Sequence, residues 1–161
     1  MFDPTAFDNL KVVVEGAVYD LDLSGEINIL DRRDLFDFAH YERTYLIQYS
    51  LLNQSESSVT LHLKADMSHF IAERKGLADK NRAGAEIEFT YEGSDKLTGS
   101  KKELESAWGA DKSWEWMNIS SSLRPPSVQG ILRFNRVITE EMVDDILQMV
   151  SFSAETLDIL D

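Results

Sequence analysis

The stretch Leu10-Lys11-Val12-Val13-Val14-Glu15-Gly16-Ala17-Val18-Tyr19-Asp20-Leu21-Asp22-Leu23-Ser24-Gly25-Glu26-Ile27-Asn28-Ile29 decides how the chain is read, because its apolar positions can be tested against one another. Leu10, Val12 and Val14 alternate, as do Ala17, Tyr19 and Leu21, and then Ile27 and Ile29. A two-residue turn at Glu15-Gly16 sets Val14 against Ala17, Val12 against Tyr19 and Leu10 against Leu21 on one face. A three-residue loop at Leu23-Ser24-Gly25, with Gly25 left-handed, then brings Leu21 to Ile27 and Tyr19 to Ile29 on that same face. The other face carries the row Lys11–Asp20–Asn28, with one opposite-charge pair. Because both turns yield one apolar face, the pattern predicts a three-stranded antiparallel meander. Leu10, Val13, Val14, Ala17 and Val18 also fit one face of a helix, but the valines and an internal Gly16 make a weak helix former, and the meander is preferred.

The second half of the stretch has another reading. Asp20 to Asp31 places oxygen ligands at loop positions 1, 3, 5, 9 and 12 (Asp20, Asp22, Ser24, Asn28 and Asp31) and glycine at position 6. This resembles a single EF-hand-type calcium loop, since a hard cation takes many oxygens and the glycine makes the sharp bend. Against it, Leu21 and Leu23 occupy wet loop positions, Asp31 is shorter than the usual bidentate glutamate, and no second loop is present to pair with. Cation binding therefore stands as an alternative to the hairpin.

Outward from this stretch, Tyr45, Ile47, Tyr49 and Leu51 alternate, as do Val59, Leu61 and Leu63. A five-residue loop at Asn53–Ser57 would pair Leu51 with Val59, Tyr49 with Leu61 and Ile47 with Leu63. Further strands are expected at Ala85–Tyr91, Trp114–Ser120 and Ile131–Val137. Polar loops are expected at Asn53–Ser58, Ala78–Gly84 and Glu92–Ser100, and a helix or turn over Asp31–Phe38. Helices are expected at Met67–Lys75 closed by Gly76, at Lys101–Trp108 with a Ser100/Glu103 capping box and a terminal Gly109, and at Glu140–Val150 capped by Thr139. The expected fold class is α+β: one domain over residues 1–161, a mainly antiparallel sheet of about six to eight strands, and two or three covering helices, the last near an acidic C-terminus.

Two further groups carry chemistry. His62, Asp66, His69 and Glu73 are spaced 4, 3 and 4 apart, a helical stripe suited to a divalent metal or to acid–base work, although His62 sits inside a strand pattern that breaks the stripe. Trp108, Trp114 and Trp116 cluster near Lys112 and would line a ligand pocket with His62 or His69, or pack against a helix. Gly93 to Lys101 is not a phosphate loop, since the glycine spacing and the Ser/Lys order are wrong. No nucleophile elbow, zinc-protease or dinucleotide motif occurs, and no cofactor is expected.

The 161 residues contain no cysteine, which excludes disulfides, thiolate metal sites and cysteine nucleophiles. The net charge of -13 is concentrated at the ends: residues 1–42 carry -7, residues 43–138 carry +1, and residues 139–161 carry -7 without a single base. Acidic ends repel polyanions, so neither nucleic acid nor an anionic membrane is an expected partner. Met1-Phe2-Asp3-Pro4 lacks a basic or apolar leader and no apolar run approaches the roughly 20 residues of a membrane span, so a cytoplasmic protein is expected. The functional expectation is a non-enzymatic protein that binds a protein partner or itself, with a divalent-cation binder and an enzyme or small-ligand binder using the tryptophan–histidine pocket as the alternatives. The apolar tail Phe152, Leu157, Ile159 and Leu160 either docks on its own domain or forms a homodimer contact, with the dimer favoured.

Overall fold

In the computed structural model, which describes residues 5–53, 56–75 and 84–160 with the side chains of residues 5 and 72–75 excepted, the decisive stretch is a helix. α1 spans Thr5–Leu23, followed by β1 (Ile27–Asp37), β2 (Glu42–Leu51), β3 (Ser58–Ala65), α2 (Met67–Lys75) and β4 (Ala85–Ser94). A 3-10 segment, Asp95–Ser100, leads into α3 (Lys101–Trp108), β5 (Ser113–Ile119) and β6 (Ser127–Ile138). The chain ends with a 3-10 turn Glu140–Met142, α4 (Val143–Thr156) and a last 3-10 turn Leu157–Leu160. The six strands form one antiparallel sheet in the order β1-β2-β3-β4-β6-β5. The fold class is α+β as expected, with the last helix C-terminal. No helix among the described residues is long and apolar enough to cross a membrane.

The N-terminal meander is thus replaced by α1, and the reason is tertiary. Phe7, Leu10, Val14 and Val18 are fully buried at helical spacing, and α1 packs them against α4 and the sheet. That burial outweighs the weak helix propensity of its valines and glycine. Gly25 is left-handed as expected (φ 80°), but as a helix stop: Glu26 N–H reaches the Leu21 carbonyl at 3.1 Å and Gly25 N–H the Asp22 carbonyl at 3.0 Å. Lys11 pairs with Asp34 of β1 at 2.7 Å rather than with Asp20.

Asp31–Phe38, expected as a helix or turn, lies almost wholly in β1, whose register slips at Leu30. After this bulge Arg32 and Asp34 face α1, where Arg32 binds Glu15 at 2.7 Å and Asp34 is shared by Lys11 and Arg43. Arg43 also reaches Asp8 at 2.7 Å and lies over the Phe7 ring. The β2–β3 pairing is shifted by two residues from expectation, joining Tyr49 to Val59, Ile47 to Leu61 and Tyr45 to Leu63. β4 to β6 fall within a few residues of their expected places, and α2 and α3 have the expected bounds. Gly76 and most of the Ala78–Gly84 loop lie outside the described residues, while Glu92–Ser94 prolong β4 instead of forming a loop. Gly109 ends α3 as expected, but the expected N-caps are absent: Ser100 bonds the Ile159 carbonyl instead of closing a box, and Thr139 makes no side-chain cap, α4 starting after Met142.

One sheet face is covered by α1, α3 and α4. The other is polar, with Ser58, Thr60, His62 and Lys64 set opposite Glu92, Thr90, Glu88 and Glu86. The acidic tail packs on its own domain: Ser153, Ala154, Thr156 and Leu157 are buried.

Gly16 is exposed, in the middle of α1, and a Cβ there meets nothing within 4 Å. Gly16→Ala should therefore stabilise the fold by about 0.5–1 kcal/mol in denaturant titrations; a loss of stability would contradict the helix. Hydrogen bonds from Arg43 and then Lys11 hold the Asp34 carboxyl at about 2, below its ordinary 3.8. A depressed carboxylate contributes its full stabilisation above about pH 4 and loses it as the pH falls toward 2. Asp34→Asn should thus cost about 1 kcal/mol near neutrality and almost nothing at about pH 2. A difference in midpoints that stays constant across this range would contradict the network.

Candidate functional site

A cleft of about 290 Å³ lies between α4 and the far end of β6. α4 contributes Asp145, Gln148, Met149 and Phe152, one helical stripe at intervals of three and four residues. Trp108, the last residue of α3, and Lys112 of the following turn form the second wall; Phe134 and Arg136 of β6 form the third.

β6 reaches the cleft through a bulge. Arg133 pairs with Glu88 and Val137 with Glu86, so Phe134, Asn135 and Arg136 together face Ile87 alone. Asn135 takes a left-handed conformation (φ 57°), which an asparagine tolerates better than most residues. Bulges of this kind bend a strand and re-aim its side chains. Here both flanking residues, Phe134 and Arg136, line the cleft.

The walls are aromatic. Trp108 meets Phe152 edge-on with ring centres 4.8 Å apart, Phe134 edge-on at 5.7 Å, and Phe89 at 5.4 Å. Its indole N–H donates to the Tyr91 hydroxyl at 2.9 Å, which fixes the ring from behind. Lys112 lies 5.7 Å from the Phe134 ring centre and binds Asp111 at 2.8 Å. Its ammonium is the first cause holding the Asp111 carboxyl below its ordinary range. Arg136 is exposed and makes no hydrogen bond or ion pair among the described residues. The lining therefore presents aromatic faces, a thioether, two cations and the carboxylate of Asp145, with the Asp111 carboxylate bound to Lys112 and within electrostatic reach of Arg136.

Trp114 and Trp116 stand beside this cleft. Their rings are stacked at 5.1 Å and 4°, and Trp116 donates to Glu105 at 2.8 Å beneath Lys101. Trp114 lines a neighbouring open groove that shares Lys112, while its indole nitrogen is buried without a partner among the described residues. The Trp116 ring lies directly over Gly130, where a Cβ would sit 2.4 Å from its Cζ3 atom.

The histidines lie elsewhere. His62 projects from the polar sheet face opposite Glu88, and burial pushes its imidazole below the ordinary value. His69 is buried on α2 with Nδ1 2.7 Å from Asp66 and lines a small recess of about 130 Å³ with Glu42, Lys64 and Glu86. Burial would raise the Asp66 carboxyl, but the Ser68 hydroxyl and His69 draw it down to about 2. The Glu73 side chain lies outside the described residues. A pocket combining a tryptophan with a histidine is therefore not formed among the described residues.

The cation-loop residues are spread over three settings. Asp20 and Asp22 belong to the last turn of α1, and the Ser24 hydroxyl lies 2.9 Å from the Leu21 carbonyl and 2.8 Å from Glu26. Asn28 and Asp31 are on β1, where Asn28 donates to the Leu52 carbonyl and Asp31 binds Arg33 at 2.9 Å. The segment is thus neither a hairpin nor a twelve-residue loop. No group of three His, Asp or Glu side chains suited to a metal occurs among the described residues.

Of the five candidate pocket residues, only Trp108 lines the cleft. The sequence marks Lys112 as a neighbour of the tryptophans and Phe152 as part of the apolar tail, but it marks neither Phe134 nor Arg136, and Asn135, a residue at ease in a left-handed turn, is its only trace of the bulge. No family model, no curated protein and no solved structure matches this chain.

Gly130→Ala should force the Trp116 ring off the strand, cost about 1–3 kcal/mol, and abolish the near-ultraviolet circular dichroism of the stacked indole pair. A variant with unchanged stability and spectrum would rule out this packing.

Proposed function

We propose that this chain is a non-enzymatic binding protein whose cleft takes an aromatic side chain carried next to an acid on a protein segment. The observation that supports it is the β6 bulge, which turns Phe134 and Arg136 together into a cleft already walled by Trp108 and Phe152. An aromatic guest gains edge-on ring contacts of about 0.5–1.5 kcal/mol beyond its buried area. A carboxylate beside it meets exposed Arg136, which bonds no carboxylate directly among the described residues, and half-buried Lys112, which it would share with Asp111. Aromatic anchors ringed by charge are the usual energetic centres of protein–protein contacts. The cleft residues hold no nucleophile with a base beside it, which favours binding over catalysis.

The test is a tryptophan-fluorescence titration of dilute protein with acetyl-Asp-Phe-amide and with acetyl-Lys-Phe-amide. The acidic dipeptide should give a saturable change and bind about fivefold or more tightly than the basic one. Trp108→Phe should remove most of the signal, and Arg136→Ala the preference for the acid. Equal binding of both dipeptides, or none at millimolar concentration, would refute the reading.

A further inference from the structure

The hairpin between β1 and β2 carries the chemistry that the cleft accepts. Phe36, Phe38 and Tyr41 form a ring cluster at its tip, with centroids 4.8 Å apart for Phe36–Phe38 and 6.3 Å for Phe36–Tyr41. Phe38 is 82% exposed and Tyr41 53%. The turn is held rigidly for so apolar a surface: one Asp37 oxygen accepts the N–H groups of Ala39 at 2.9 Å and His40 at 3.2 Å, the other lies 2.9 Å from His40 Nδ1, and Tyr41 is left-handed (φ 54°). A pre-ordered, exposed aromatic cluster loses little entropy on binding and marks a contact site.

The strand registers put this tip and the cleft at the same end of the sheet. Phe36 pairs with Arg43, Arg43 with Ala65, Lys64 with Glu86, and Glu86 with Val137, next to Arg136. Four strand spacings separate β1 from β6, roughly 19 Å. Both features also lie on the helix-covered side, since Arg43, opposite Phe36, stacks on Phe7 of α1, and α4 walls the cleft.

We propose that two copies of this chain associate through this end, the Phe38 tip of each filling the Trp108 cleft of the other. A two-fold axis perpendicular to the sheet, midway between tip and cleft, carries each onto the other, so the contact is isologous and closes at two copies. The charges can pair: Asp37 of the tip, though bonded within its own turn, meets Arg136 and Lys112 of the cleft, and His40 meets Asp145. The exposed edge of β1 is a poorer surface for a second copy. Its bulge at Leu30 and its run Asp31, Arg32, Arg33 and Asp34 are the devices that keep edge strands from pairing. This inference rests on the cleft reading and adds the identity of the partner.

Sedimentation equilibrium of the full chain from about 1 to 500 µM tests it. The protein should dimerise, and Phe38→Ser and Arg136→Glu should each raise the dissociation constant about tenfold or more, as losses at an anchor do. Both side chains are exposed, so melting temperatures measured on dilute, monomeric protein should not change. An equimolar mixture of the two variants should associate more tightly than either alone, because the mixed pair keeps one intact tip and one intact cleft in contact. A wild-type chain that stays monomeric at the highest concentration overturns self-association, whereas dipeptide binding by dilute protein would leave the cleft reading intact. A dimer indifferent to both variants, or a mixture no tighter than its components, overturns the tip-in-cleft arrangement.

Discussion

Two fully buried tyrosines govern where everything on the covered face can sit. Tyr49 on β2 and Tyr91 on β4 point their hydroxyls under α4, away from water, and burial raises both well above their ordinary value, so they remain protonated. A buried hydroxyl without a partner costs about 1–3 kcal/mol. The partners are Ser153 and Thr156 of α4: Tyr49 meets the Ser153 hydroxyl, and Tyr91 meets the Thr156 hydroxyl at 2.7 Å. Each of these hydroxyls donates its own hydrogen bond to a carbonyl three residues back, Ser153 to Val150 at 2.6 Å and Thr156 to Ser153 at 2.8 Å. The donor sequence is therefore fixed from end to end, with Trp108 N–H as the donor into Tyr91. Rotating or sliding α4 by one residue would orphan both tyrosines at once.

Once α4 is held in this way, the remaining elements have little freedom. The stripe Asp145, Gln148, Met149 and Phe152 is turned toward β6 and α3, while buried Ile146 and Val150 join the core that α1 completes. The Trp108 bond to Tyr91 ties the end of α3 to the same network, and Gly109 ends the helix immediately after (φ 103°). Lys112 and the β5 tryptophans follow from that stop. The cleft is thus a by-product of satisfying buried hydroxyls, and the β6 bulge adapts it by bringing in Phe134 and Arg136.

Legibility in the sequence followed how local the determining interactions are. α2 and α3 were read with their observed bounds because punctuation and apolar spacing lie within the segment itself. The apolar stripe of α4 was equally visible, although the helix starts later and runs further than its capping residues imply. α1 is ambiguous in the sequence because valines at positions 12, 13 and 14 satisfy the strand and helix periods together, and only the packing of α1 on α4 and the sheet, with Phe7, Leu10, Val14 and Val18 buried, breaks the tie. β1 was missed beyond Ile29 because its inward side chains after the bulge are Arg32 and Asp34, whose partners Glu15, Lys11 and Arg43 are supplied by α1 and β2. In the site, Trp108 stood out by residue type, whereas Phe134 and Arg136 acquire their roles only from a register slip against β4.

The same pairing explains why a chain of net charge -13 can keep a cationic spot. The three bases of residues 1–42 (Lys11, Arg32 and Arg33) are all engaged by carboxylates, and Arg43 takes up Asp8 and Asp34. The acidic N-terminal excess is partly consumed in fastening α1 to the sheet. At the other end residues 139–161 hold no base, so Arg136 and Lys112 face α4 with only Asp145 of that helix lining the cleft. Screening confines their field to about 8 Å at physiological salt, and the surrounding acids oppose it beyond that range. On the proposed reading, these short-range cations select an acid delivered at contact distance by an aromatic side chain seated against the Trp108, Phe134 and Phe152 rings rather than a distant polyanion. On that reading ring and carboxylate arrive together, which makes a short folded segment a better guest than a free anion.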